Sequence, residues 1–183
     1  MKVAIETDPL VVTIDGKEVY SEKEKPKENI GDKIIYTANS YHGVQEYGST
    51  VSAFITWFYG YMSKVSWCAI FVCYVLDLCS RLAYIGGKAD NVNTMRENCI
   101  DASHKGLGSY FCKGEIPREL KKGDILFWLW DGGTMTHNSN KHVGFCEYDT
   151  SDDTIYCLGG NQKDKVCTLA YDRKYLYAVY RIH

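Results

Sequence analysis

The hydrophobic pattern changes period along the chain, and the changes divide it into parts. Between Lys33 and about Ser63 the apolar positions fall at helical spacing: Ile34, Ile35, Ala38 and Tyr41, then a GVQEYGST break, then Val51 to Tyr61. Gly48-Ser49 marks the turn between two helices. After Ser66 the run WCAIFVCYVLDLCSRLAYIGG is apolar almost all round and reads as one buried helix, stopped by Gly86-Gly87. Its polar stripe is Asp77, Ser80 and Arg81, with Asp77 and Arg81 spaced to pair in water. Lys88 to Glu119 is less regular, with a helix expected over Asn93 to His104.

From Lys122 the period becomes two. Gly123-Asp124 turns into ILFWLW, and HVGFCEYD, TIYCLGG, VCTLAYD and LYAVYRI follow as short strands separated by polar loops. Five strands at that spacing predict an antiparallel meander, as a curled sheet or partial barrel packed on the helix after Ser66, and the fold class is α+β. At the other end, VVTI and KEVY flank Asp15-Gly16 as a hairpin, and SEKEKPKEN reads as a solvated linker. The expected division is therefore 1–32, hairpin and charged linker, and 33–183, one domain.

Composition narrows the functional classes. With 183 residues, 45% hydrophobic and 14% aromatic, the chain is long enough for a core without staples. A net charge of −2 and the lack of a basic stripe interleaved with aromatics argue against nucleic acid as a partner. No stretch reaches the roughly 20 apolar residues that span a bilayer, and MKVAIETDPLVVTIDG lacks the apolar centre of a secretory leader. Synthesis in the cytoplasm without stable membrane insertion is expected. Eight cysteines without a leader fit reduced thiols, and neither their spacing nor that of the five histidines makes a zinc pattern. No acidic run offers calcium its oxygens, so no metal and no cofactor is expected.

Three residues carry candidate chemistry. Cys68 follows Ser66 and Trp67 at the start of the apolar helix. With Ser66 as N-cap, the sulfur would lie in the first turn, where the helix dipole favours thiolate, the nucleophilic form. Cys73 and Cys79 read as core. Pairing Tyr148 with Thr154 across the turn at Thr150 to Asp153 sets His142 opposite Gly160, with Asn161 beside it. The Asn161 carbonyl can then accept from one ring nitrogen while the other faces a nucleophile. Gly159 and Gly160 permit close backbone approach. Taken singly, these residues read as a buried thiol, a strand-start histidine and a turn asparagine. Together they make one constellation.

WCAIFVCYVL, the turn KKGDILFW, the strand KHVGFCEYD, and LGGNQKDKVCTLAYD with the closing YRIH resemble the CHAP and NlpC-like cysteine amidase/peptidase superfamily. The likeness is strongest to its phage and bacterial branch with HVG and GGNQ motifs. ANSYHGVQEYGSTVSAFITWFYG is similar to the helical lead-in of that branch, so the resemblance covers about residues 34 to 183. It implies a papain-like fold and cleavage of an amide bond in peptidoglycan, either in the stem peptide or between muramic acid and L-alanine. By the resemblance Cys68 is the nucleophile, His142 the base and Asn161 the residue that orients it. The glutamate that some CHAP enzymes carry two residues before that asparagine is here Gly159, and the calcium-binding DxDxxYGxQC sequence is missing. The Cys68 backbone amide is the natural oxyanion donor, with Gln45 and Tyr47 as candidates for the second. The implied role is a phage endolysin or tail-associated lysin, reaching the wall by holin release, tail delivery or secretion, with holin or tail proteins as partners. A cysteine peptidase acting on proteins, a transferase and a non-catalytic wall-binding module are the alternatives.

Overall fold

Two short strands come first among the described residues: Leu10–Ile14 (β1) and Lys17–Ser21 (β2) pair antiparallel, with Leu10 opposite Ser21 and Ile14 opposite Lys17. The computed structural model describes residues 10–14 and 17–21 by their backbone, and 29–150 and 152–183 in full. The expected turn at Asp15-Gly16 and the charged run 22–28 lie outside the described residues.

Among the described residues four α-helices follow. In α1 (Ile30–Asn39) the Asn29 side chain caps the start by accepting from the Gly31 amide at 3.0 Å, and Ile34, Ile35 and Ala38 form the buried face. The second helix, α2 (Ser49–Tyr59), ends on Gly60 in the left-handed conformation, φ 81°. Eight of the eleven residues of α3 (Cys68–Leu78) are buried. This helix stops earlier than expected. Ser80 takes φ 57°, the Ser80 amide donates to Asp77 O at 2.9 Å and the Arg81 amide to Leu76 O at 2.7 Å. That pair of bonds is a Schellman closure, here built without glycine. Gly86, at φ 76°, ends a separate 3-10 turn, Leu82–Ile85. Arg81 lies over the Tyr84 ring and donates to Ser80 O, so its expected pairing with Asp77 is not formed. The last helix, α4 (Val92–His104), begins at Asn91, whose side chain accepts from the Thr94 amide.

The sheet has six strands where five were expected. In chain order they are β3 (Gly108–Cys112), β4 (Ile125–Leu129), β5 (Lys141–Asp149), β6 (Thr154–Gln162), β7 (Lys165–Asp172) and β8 (Leu176–Ile182). All pair antiparallel in the spatial order β3-β8-β4-β5-β6-β7. It is not a plain meander, because the chain returns after β7 to insert β8 between β3 and β4. The added strand comes from the stretch read as irregular, and it has no clean alternation of its own. What fixes it is its partner. Gly108 sits opposite Ile182, and a side chain there would come within 2.5 Å of the Tyr180 ring and Arg181 O.

The sheet is strongly curled. Trp128 of β4 meets Tyr171 of β7 with ring centroids 5.0 Å apart, although β5 and β6 separate those strands along the ladder. Alternation along β5 and β6 therefore feeds two cores. Val143, Phe145 and Leu158 pack towards the helices with Phe54, Phe71 and Ile70. Leu126, Trp128, Cys146 and Cys157 fill the inside of the curl. At the mouth of the KKGD turn, Asp124 is 2% exposed and takes a two-pronged pair from Arg181, at 2.8 and 2.7 Å. Among the described residues no helix is long and apolar enough to cross a membrane.

Helix α3 lies directly on β6 at Gly160. A Cβ there would stand 2.6 Å from both Phe71 Cβ and Trp67 Cζ3, closer than packed atoms approach. Gly160→Ala should therefore lower stability by about 1–3 kcal/mol, the usual effect of an added methyl in a filled core. Urea unfolding checks this, and an unchanged midpoint would mean that the helix is free to move away.

Candidate active site

The hairpin that carries His142 is built differently from the simple expectation. Tyr148 pairs with Tyr156 and Asp149 with Ile155, not Tyr148 with Thr154, and the register shifts at Glu147 so that Cys146 faces Cys157 and Phe145 faces Leu158. The turn is fixed by the Thr150 amide donating to Thr154 O at 3.0 Å, with Asp153 at φ 62°. Glu147 holds the bulge: its carboxylate accepts from Asn39 Nδ2 and Thr168 Oγ1. Further along β6 the ladder to β7 breaks between Gly159 and Gln162, where Asn161 takes φ 58°.

These distortions bring the three sequence candidates together. Cys68, His142 and Asn161 line one cleft of about 360 Å³. Ser66, Asp90, His137 and Ser139 also line it. Cys68 opens α3, as expected, but the capping residue is Trp67, at φ −113° and with no side-chain bond to the helix. Ser66 therefore does not act as N-cap. Gln45 and Tyr47 do not line the cleft. Gln45 makes a bridge to Lys165, and Tyr47, 81% exposed, borders a separate groove with Met62 and Val65.

Burial dominates the electrostatics. The Cys68 thiol is pushed up from its ordinary value by loss of water, against the backbone amides of Val143, Ala69 and Cys68 itself and the charge of Lys141, which pull the other way. The expected dipole-lowered thiol is thus not the resting state. His142 is pushed down to about 4, again by burial, with Gln162 opposing. At neutral pH the pair rests as thiol and neutral imidazole, the state in which the imidazole can accept a proton.

The side chain beside the ring is Gln162, which sequence reasoning passed over. It is 3% exposed and fixed on both ends: Nε2 donates to Cys157 O at 3.1 Å and to Cys167 O, while Oε1 accepts from the Tyr171 hydroxyl at 2.8 Å. Its contact with the imidazole favours the protonated ring. His142 Nε2 makes no hydrogen bond of normal geometry among the described residues. A Cβ on Gly159 would stand 2.8 Å from that nitrogen and 3.3 Å from the Gln162 amide, so only glycine leaves the ring and the amide their present places. Trp130 and Tyr171 frame the ring at 6.4 and 6.5 Å between centroids. Asn161 faces the cleft, and its side chain makes no hydrogen bond among the described residues. One signal in the sequence could have separated the two amides. Asparagine is the residue after glycine that best tolerates the left-handed conformation, so in GGNQ the Asn suits the backbone turn and leaves the Gln to point inward.

No protein-family model matches the chain, and neither the curated proteins nor the solved structures give a match.

The buried imidazole makes stability depend on pH. His142 gains its proton near 6.5 when unfolded and near 4 when folded, so between these values the unfolded chain binds more protons. Stability is complete above pH 6.5 and falls as the pH drops towards 4, by about 3 kcal/mol in all. Urea unfolding of the wild type and His142→Gln at pH 7.5, 5.5 and 4.5 should show this loss in the wild type and a flatter profile in the variant. Parallel profiles would mean that the ring is not held neutral.

Proposed function

We propose that the protein is a cysteine-dependent amidohydrolase, papain-like in arrangement and of the CHAP and NlpC-like type, that cleaves an amide bond of bacterial peptidoglycan. The observation that carries the reading is the sharing of one cleft by Cys68 at a helix start and a buried, neutral His142 at a strand start. Chemistry supports it. A neutral imidazole is a competent base for a thiol, and a thiol that is protonated at rest passes its proton to the ring as it attacks an electrophile.

In the proposed reaction His142 takes the Cys68 proton as the sulfur attacks the amide carbonyl. The carbonyl oxygen gathers charge beside the free amides of the first turn of α3, those of Cys68 and Ala69. Protonated His142 then gives its proton to the leaving amine, the C–N bond breaks, and the acyl group remains on sulfur as a thioester. Water, losing a proton to the same imidazole, releases the acid and restores the thiol. Gln162, fixed by Tyr171, steadies the ring through both proton transfers. Asn161 faces the substrate. The chemistry needs no cofactor. The wall specificity and the role as a phage endolysin or tail-associated lysin rest on the sequence resemblance.

Digestion of purified sacculi followed by mass spectrometry tests the reading. New amino ends without new reducing ends are expected, and Cys68→Ala and Cys68→Ser should each lower turnover by at least about 10³-fold with an unchanged melting temperature. New reducing ends, or an active Cys68→Ala protein, would overturn it. Cleavage of unfolded proteins with intact sacculi would move the substrate to protein while keeping the chemistry.

A further inference from the structure

Strand β5 begins at Lys141, next to His142, and its ammonium turns back onto the chain before it. Nζ donates to three backbone carbonyls, of Thr136 at 2.7 Å, His137 at 2.6 Å and Ser139 at 3.3 Å. Three convergent acceptors use all three protons of an ammonium, a geometry that a planar guanidinium does not reproduce. The segment held in this way, residues 131–140, is also anchored by buried Met135 and by the Trp130 amide donating to Asn140 O. Gly132 and Gly133 both stand at φ 71°, Asp131 accepts from the Asn140 amide, and Ser139 bonds to Thr136. This segment supplies His137 and Ser139 to the cleft that Asp90 and Asn91 also line.

Lys141 also lines the cleft that holds Cys68. The groups around Cys68 that carry or could carry charge are His142 and Lys141 of β5, Asp90 before α4, His137 of the held segment, Cys157 of β6 and Tyr171 of β7. Lys141 and Cys68 line the same cleft, and a cation there favours thiolate, against the larger opposing effect of burial.

We propose that Lys141 is a positioning residue for the nucleophile: its ammonium fixes residues 131–140 as a wall of the cleft, and its positive charge raises the reactivity of Cys68. The proposal rests on Cys68 as the nucleophile and is independent of what the substrate is. One residue thereby couples the shape of the cleft to the readiness of the thiol. A substrate that pushes on the wall also moves the charge that supports the sulfur.

The test is the rate of Cys68 alkylation by iodoacetamide from pH 5 to 10, read by peptide mass spectrometry, with exposed Cys112 as the internal reference. Amide hydrogen exchange of residues 131–140 is measured alongside. Lys141→Gln, which keeps donors and loses the charge, should move the Cys68 profile to higher pH and slow labelling at pH 7 by about threefold to tenfold. Lys141→Arg, which keeps the charge and loses the three-way fit, should keep the wild-type profile but quicken exchange in 131–140. A Lys141→Gln profile equal to that of the wild type, or unchanged exchange in both variants, would overturn the proposal. Failure of Cys68 to label in the wild type would instead overturn the nucleophile assignment beneath it.

Discussion

Everything around the cleft depends on the missing side chains of Gly159 and Gly160. At Gly160 the start of α3 lies so close to β6 that Phe71 and Trp67 occupy the space of a methyl group. At Gly159 the same is true of the His142 ring and the Gln162 amide. One dipeptide thus seats the helix that carries the thiol and, on the next residue, makes room for the imidazole. The curl of the sheet then closes over the pair from the other side, where Tyr171 of β7 reaches back to hold Gln162. A hairpin with ordinary residues at these two positions would keep its hydrogen bonds and lose the site.

The cost of this closeness is dehydration, and dehydration sets the chemistry. Both titratable members of the pair are driven towards their neutral forms, the thiol upward and the imidazole downward. A helix dipole worth a fraction of a kcal/mol to about 2 kcal/mol does not overcome the burial of a thiolate. The pair therefore rests as thiol and neutral imidazole. The groups that favour the charged forms are in place: backbone amides at the sulfur, Lys141 on the same cleft and Gln162 at the ring. They gain importance only when a proton moves between the two, which is the condition for an electrostatic catalyst that does not reorganise.

Much of this was legible in the residues, for reasons that differ by element. Four helices and the five strands after Lys122 follow from the change of apolar period, and Cys68 and His142 stand out as reactive types at element ends. The missed features all come from contacts that local pattern does not encode. Strand β3 exists because β8 offers it an edge, with Gly108 admitting Tyr180. Helix α3 ends at a left-handed Ser80, where a glycine signal was sought. Gln162 rather than Asn161 lies beside the ring because the hairpin pairs Tyr148 with Tyr156, the register shifts again at Glu147, and Asn161 turns left-handed where the ladder to β7 breaks. The thiol was misjudged because capping was argued from neighbours in sequence, whereas burial is a property of the whole fold.

The central claim is that His142 acts on Cys68, and the rate of Cys68 alkylation by iodoacetamide at pH 7 in the wild type and in His142→Ala tests it most directly, with Cys112 as a thiol far from the ring. The account predicts that removing the imidazole slows labelling of Cys68 by about tenfold or more and leaves Cys112 unchanged. Equal labelling of Cys68 with and without His142 would contradict it.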